Sequence, residues 1–506
     1  GLYHLEIFLM PVLHDVNTTD IRSAIALGCR TMSNVFDADD NDVPFFKSSV
    51  FPVARLAFNP TLSEAHVPGR HLNALLMAEN VAGLSIDESA VEKHTAAAFL
   101  SYSGSVALPL NRAEQDGPPI NFDDHNLREG FHALYALARY RDSSRAADVA
   151  ATSIDAILNY WDPASGWDRS RLRSDHGVLW PRHGTFIEGI ARSIGPLVKL
   201  YDAIGYEPAL KLARLLADKT TGEYFLPSGE YDREKFGTHT HSTTCVMSSL
   251  AQLGDVTGDE KFLERAKSFY ENGLNEIRDE IGWVIENSAG ESPSDLGECN
   301  NTGDVVETAL ILGRHGFAGY YQDAELILRC HLLPSQLRDN SFIVDPPNPH
   351  GIDGLRSVRD RHMGAFGFPA PYGHHPVGVQ NVSFNMDIVG GAVGSLCAAL
   401  SESVVTSPDG HQVNLLFDRE TSAISTRSGP EPGKLTVATK KPGPLRVRIP
   451  ESVDFSSPET MVPTGFEPVG DYLMCPEPPV DTPLEIRYKP VERDVVIHHK
   501  AHDIRV

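Results

Sequence analysis

The chain is 506 residues long, with 41% hydrophobic and 22% charged residues and a formal net charge of -24. That length supports a large core and more than one domain, and the acidic balance argues against nucleic acid or an anionic membrane surface as a partner. The six cysteines, Cys29, Cys245, Cys299, Cys330, Cys397 and Cys475, include no CxxC pair, so they indicate neither a disulfide framework nor a zinc ribbon and read as small buried hydrophobes. No apolar run is long enough to cross a bilayer, and the opening GLYHLEIFLMPVLHD lacks a basic region ahead of a long apolar stretch. We therefore expect a soluble protein, with cytoplasm and periplasm both open as compartments, and a homodimer is compatible with the composition.

Residues 1 to 70 read as irregular structure with a helix over Thr19–Ser33. Pro68 and Gly69 punctuate the next segment, and the helix beyond them, Arg70–Glu79, opens on Arg70, a side chain able to fork onto a sugar hydroxyl or to form a structural ion pair. From Asp87 to Leu332 apolar residues recur three and four apart in one helix after another, including Leu127–Tyr140, Ser143–Tyr160, Thr185–Ile204, Ser242–Val256 and Asp304–Phe317. Consecutive helices on modest loops pack as hairpins. A run of about a dozen closes most economically into an (α/α)6-type helical toroid, with an open solenoid as the rival.

In such a toroid the loops between helix pairs surround a pocket, and several loops here carry residues suited to sugars. Trp161-Asp162 and Trp167-Asp168 precede His176, Trp180, Arg182 and His183. Aromatic faces beside carboxylates and imidazoles suit a sugar ring, and they equally suit packing between helices. GTHTHSTT places His239 and His241 at another helix start, as ligands for substrate or metal or as cap residues. The Pro- and Gly-rich segment 334–380 holds Tyr372, His374 and His375 and reads as a lid or pocket wall, while NVSFNMDIVGGAVGSLCAALSESVV is a last apolar helix led by Asn385, Met386 and Asp387. After Ser407 the chain changes to short alternating strands, VNLLF, AISTR, KLTVATK, LRVRIP and LEIRYKP, between Pro/Gly turns. This is the pattern of a C-terminal antiparallel β-sandwich, so we expect a toroid over 1–406 and a sandwich over 407–506.

The most specific stretch is GWVIENSAGESPSDLGECNNTGDVVETALILGR, residues 282–314. Glu286, Glu291, Asp295 and Glu298 lie in a turn-rich loop, and the helix that follows places Glu298 and Cys299 at its N-terminus. Carboxylates there meet the positive end of the helix dipole, while a partner farther out keeps a different pKa. Two carboxyl groups in unlike environments are what hydrolysis of a sugar acetal requires.

Four segments resemble glycoside hydrolase family 127, the β-L-arabinofuranosidase-like group. HGTFIEGIARSIGPLVKLYDAIGYEPALKLARLLAD resembles a helix pair opening on a GHLIEGA-type motif, and THSTTCVMSSLAQLGDVTGDEKFLE a GHAVRA-type helix with a TGD turn. GWVIENSAGE through GECNNTGDVVETALIL is similar to the family's glycine-rich loop and ETCNT-type helix start, and FNMDIVGGAVGSLCAALSESVVTSPDGHQVNLLF to its CCPPN-type helix and strand. The resemblance implies a carbohydrate substrate, a pocket histidine at His241, an acid/base at Glu291 and a metal-ligand glutamate at Glu298. It also implies a zinc centre with three cysteines, one of them the nucleophile, but those positions fall on Asn300, Asn385 and Met386, with Cys299 one place off. We therefore expect a divergent, metal-independent, exo-acting glycosidase with no cofactor. Its carboxylates would come from Glu291, Glu298 and Asp387, and its substrate contacts from His183, His241, His239, Trp180, Arg70, Tyr372 and His374. His239, His241, Glu298 and Asp387 remain the donors for a harder ion. The rival reading is a polysaccharide lyase acting on a uronate through Tyr372, His374, His375 and Arg361, and a non-catalytic sugar-binding protein is the third.

Overall fold

The computed structural model describes residues 16–289, 295–371, 373–374, 381–429, 433–451, 453–490, 494–498 and 503–505. Long helices alternate between two layers in chain order: α1 (Ile21–Met32) outside and α2 (Val67–Ala82) inside, then α3 (Glu88–Ser101) outside and α4 (Leu127–Arg141) inside. They continue with α5 (Ser144–Tyr160) outside, the short α6 (Arg169–His176) and α7 (Ile194–Ile204) inside. Next come α8 (Glu207–Glu223) outside, the single turn α9 (Arg233–Phe236) and α10 (Thr240–Thr257) inside. The series ends with α11 (Glu260–Glu271) outside, α12 (Cys299–Arg314) inside, α13 (Gly319–Ile327) outside, the short α14 (Val358–Arg361) and α15 (Ile388–Ser403) inside. Each inner helix packs on the next, and α15 closes the ring on α2. The molecule is thus an (α/α)6 toroid, and the solenoid rival is excluded.

The layering follows from the sequence. Outer helices such as α11 bury one stripe, Phe262, Leu263, Ala266, Phe269 and Tyr270, and start on caps such as Asp259, whose carboxylate accepts from Lys261 N. Inner helices are enclosed on nearly all sides and use small or apolar residues where they pack on one another, as α15 does with Val389, Gly390, Ala392, Val393, Gly394 and Ala399. Gly69 is one position where only hydrogen fits: a Cβ there would lie 1.8 Å from the carbonyl oxygen of Glu129. That close approach of α2 to α4 brings Arg70 against Glu129.

Three expected boundaries move: the helix expected from Arg70 already begins at Val67 and takes in Pro68 and Gly69. The helix expected over Thr185–Ile204 begins as a 3-10 turn, Ile190–Ser193, and the one expected from Asp304 begins at Cys299. The excursion before α15 packs Leu337, Ile343, Val358, Val382 and Phe384 with Val35, Phe45 and Leu56 in a second core beside the main one.

The helix α15 ends at Ser403 and the first sandwich strand starts at Val404, with no linker. One sheet runs Glu467–Val469, Tyr472–Cys475, Leu445–Arg448, Gly410–Val413, Val404–Ser407, and the other Arg419–Glu420, Ile424–Arg427, Lys434–Thr439, Leu484–Arg487. The sandwich is antiparallel except where Gly410–Val413 pairs parallel with Leu445–Arg448, because the chain crosses to the second sheet and back between them. The expected strand VNLLF is also only part strand: Leu415 and Phe417 leave the sandwich and enter the toroid core. Glu325 of α13 fixes this junction, accepting from Leu416 N at 3.0 Å and pairing with Arg448.

Candidate active site

The inner helices run in the same direction, and their first residues meet at one end of the toroid. His66, the cap residue of α2, contacts Asn126 before α4 (Nδ1 to Oδ1, 2.9 Å) and Asp387 before α15 (Nε2 to Oδ2, 3.3 Å). His239, before α10, faces Glu298, before α12, at 3.8 Å. The imidazoles form an arc: His66 stacks on His125 with centroids 5.4 Å apart, His125 lies 5.2 Å from His239, and His239 5.8 Å from His241. His239 has 22% of its side chain exposed, and His241 is buried.

Beneath the arc lies an ionic floor. Oε1 of Glu129 is 3.1 Å from Arg70 Nη2, 3.1 Å from Arg128 Nη1 and 3.0 Å from Arg192 Nη2, and its carboxylate is fully buried. Burial alone would raise the Glu129 pKa, yet Arg192, His66, Arg70 and Arg128 hold it well below the usual carboxylate range. Arg70 spans the site. Its Nε is 3.2 Å from Asp387 Oδ2 and its Nη2 is 3.5 Å from His241 Nδ1, which in turn is 3.8 Å from Glu298 Oε1.

Glu298 and Asp387 sit at the starts of neighbouring inner helices in opposite environments. Burial, followed by the charge of Asp387, pushes Glu298 up to about 8, although Asn300 Nδ2 donates to its Oε1 at 2.6 Å. Asp387 is also buried, which opposes ionisation, but the hydrogen bond from His66 and the charge of Arg70 bring its pKa below the ordinary aspartate value. At neutral pH one carboxyl is therefore protonated and the other ionised. Burial, then neighbouring arginines, lowers His239 and His241 well below the ordinary histidine range, so both imidazoles are neutral.

Of the residues expected at the site, Glu298, Asp387, His239, His241 and Arg70 come together here. Glu291 and Tyr372 lie outside the described residues, as does His375. His183 is exposed and contacts Arg169. Trp180 packs edge-on against Phe122 and Trp167, with Arg169 over its face at 4.4 Å. Trp161 is buried and stacks near Phe186, and Trp167 Nε1 donates to Asp124 Oδ2 at 2.9 Å, so these indoles join loops to helices. His374 is buried against Phe384 with centroids 5.7 Å apart. Arg361, assigned to a lyase site above, is instead locked to Asp353 at 3.2 Å and to the Phe36 carbonyl.

Sequence reasoning missed His66, His125, Glu129 and Arg192. His66 and Arg70 are one helical turn apart in HVPGRH, a spacing that could have linked them. The others become visible only once α4 and α7 are adjacent.

The zinc centre implied by the family resemblance does not fit these residues. Asn300 and Asn385 offer no thiolate, and Met386 is buried in the second core. Cys299 is fully enclosed, and burial pushes its thiol up to about 12. Among the described residues His239, His241 and Glu298 place nitrogen and oxygen atoms within 4.8 Å of one another. Arg70 Nη2 lies 3.5 Å from His241 Nδ1, however, and Asn300 donates to Glu298 Oε1, so two of these atoms already face N–H groups. The cation in place is a guanidinium, and we derive no step through a metal.

The inner-helix starts thus gather buried acids, imidazoles and arginines at one end of a toroid that is followed by a docked sandwich. No protein-family model matches the chain, and no curated protein matches it in sequence. Among solved structures it is similar to a β-arabinofuranosidase of glycoside hydrolase family 127, at TM-score 0.57 and 14% identity over 96% of this chain and 78% of the other. It is also similar to the family 127 β-L-arabinofuranosidase from Geobacillus stearothermophilus T6, at TM-score 0.54 and 14% identity over 95% and 78%. A sugar epimerase from a ruminal bacterium matches at TM-score 0.50 and 13% identity, over 68% of this chain and 97% of the other. At these identities the likeness is one of fold, and it spans both parts of the chain.

Proposed function

We propose that the protein is a glycoside hydrolase whose reaction takes place where the six inner helices begin. The observation carrying this reading is the opposed state of two buried carboxyl groups, Glu298 protonated and Asp387 ionised, joined through Arg70 and His241. Neutral Glu298 gives its proton to the glycosidic oxygen as the bond to the anomeric carbon breaks, and water then adds to that carbon and returns a proton to the Glu298 carboxylate. Ionised Asp387 supplies the negative charge against which positive charge builds on the sugar ring. His239 and His241, both neutral, bind hydroxyl groups. Glu291, the acid/base implied by the family resemblance, lies outside the described residues, and the pair described here does not depend on it.

The fold shared with the family 127 enzymes supports a glycosidic substrate. The lyase reading has less support, since Arg361 is committed to Asp353. The test is a screen of plant, algal and microbial glycans and aryl glycosides with wild type, Glu298→Gln and Asp387→Asn. Each variant is expected to lose about a hundredfold or more in kcat on any glycoside cleaved. Undiminished turnover by Glu298→Gln would remove the reading. A glycan that raises the melting temperature while none is cut would identify a non-catalytic binder.

A further inference from the structure

At the rim of the site stands a cation that, among the described residues, has a single long ion pair. Arg182 lies between α6 and the 3-10 turn, with 39% of its side chain exposed, and its nearest charge is Asp123 Oδ2 at 3.8 Å. Among the described residues it makes no hydrogen bond. It is close enough to His125 and His239 for its charge to act on both, after burial and Arg192. Arg169 lies over Trp180 and contacts His183, the residue that follows Arg182, and Arg192 is paired with Glu129.

The acids around Arg182 each accept at least one N–H group, although Asp123 Oδ2, the oxygen facing Arg182, is buried without a hydrogen bond. Asp123 Oδ1 accepts from His125 N at 3.0 Å, and Asp124 Oδ2 from Trp167 Nε1 at 2.9 Å and Ile190 N at 3.2 Å. The Glu188 oxygens accept from Thr185 N at 3.3 Å and His239 N at 3.1 Å. The bias is regional as well: in a chain of net charge -24, residues 169–183 hold four arginines and one aspartate. Such an acidic protein repels anions at long range, so a basic wall beside the site acts against that field just where a ligand enters. A neutral sugar gains little from it, whereas an anionic group would find a guanidinium with free, forked donors.

We propose that the sugar taken at this site carries an anionic substituent, a carboxylate or a sulfate ester, received by Arg182 with Arg169 behind it. This inference rests on the carbohydrate site proposed above and names its substrate class.

The test is calorimetric titration of the full chain with methyl glucoside, methyl glucuronide, glucose 6-sulfate and inorganic sulfate, at low and high salt. One of the two charged sugars is expected to bind about tenfold or more tighter than the neutral one, with the difference shrinking in salt. The two charged sugars separate a carboxylate from a sulfate receptor. Arg182→Gln should abolish the preference and Arg182→Lys keep part of it, with melting temperatures confirming that both fold. Equal binding of charged and neutral sugars, a preference that survives Arg182→Gln, or inorganic sulfate binding as tightly as the sulfated sugar would overturn the proposal. Glu298→Gln separates the two readings: it should lose hydrolysis but keep the charge preference. A wild type that prefers the charged sugar yet cuts no glycoside would remove the hydrolase reading alone.

Discussion

Glu129→Gln removes one negative charge from the centre of the ionic floor while keeping the side chain's shape. Its Oε1 serves three guanidinium groups at 3.0–3.1 Å, and none of the four side chains is more than 12% exposed. Arg70 keeps Asp387 and Arg128 keeps Asp304 when the charge is lost, but among the described residues Glu129 is the only carboxylate paired with Arg192. Removing one partner of a buried ion pair costs about 3–5 kcal/mol. Because two of the three arginines retain a partner, we expect the lower end, about 3 kcal/mol. Urea unfolding followed by tryptophan fluorescence should show a lower midpoint with an unchanged slope. In the double variant with Arg192→Met the dependent charge is gone too, so the combined loss should fall short of the sum of the single losses by about 1 kcal/mol or more. A Glu129→Gln protein within about 0.5 kcal/mol of wild type, or strict additivity in the double variant, would refute the claim that Arg192 is held by this carboxylate.

Turnover should be level below pH about 8 and fall about tenfold per unit above it, because the Glu298 proton is then lost; a plateau persisting past pH 10 would contradict the assignment. The same shift gives a stability slope. The folded state keeps a proton that the unfolded chain releases near 4.5, so this contribution is complete below that value and disappears as pH rises to about 8, a slope that Glu298→Gln should remove in melting curves. Gly391→Ala would put a Cβ 2.0 Å from Asn300 Oδ1 and 2.7 Å from Arg70 Nη1, and we expect a loss of about 1–3 kcal/mol together with reduced turnover, read by unfolding and by assay. Arg448→Met removes the sandwich's arginine from Glu325, which among the described residues keeps only Arg329 of its own helix, and should speed proteolytic cutting near residues 404–414; an unchanged digestion pattern would count against that junction.

Helix positions were readable from the sequence because a one-sided apolar stripe, as in α11, has a single way to be buried. The change to short strands after Ser407 marked the sandwich for a similar reason, since alternation has only one flat solution. The site was readable in part. Glu298, His239, His241 and Asp387 were found because each begins a helix, and helix starts carry local signals. Glu129 and Arg192 lie within their helical segments, where a charged residue looks like a solvated face until ring closure buries it. Trp180 illustrates the opposite limit: an aromatic among charges has the same local pattern whether it stacks on a sugar or, as here, carries Arg169. The apolar run after Val413 looked like strand because nothing local tells a residue which of two cores it will enter.

The helix α15 starts beside Asp387 and ends where the sandwich begins, a rigid rod of 16 residues, or about 24 Å. With no slack between Ser403 and Val404, the far module anchors that rod the way a bearing holds a shaft. Deleting the sandwich would therefore loosen the rod's footing and let the carboxylate at its other end drift, so the C-terminal module is part of what aims the chemistry.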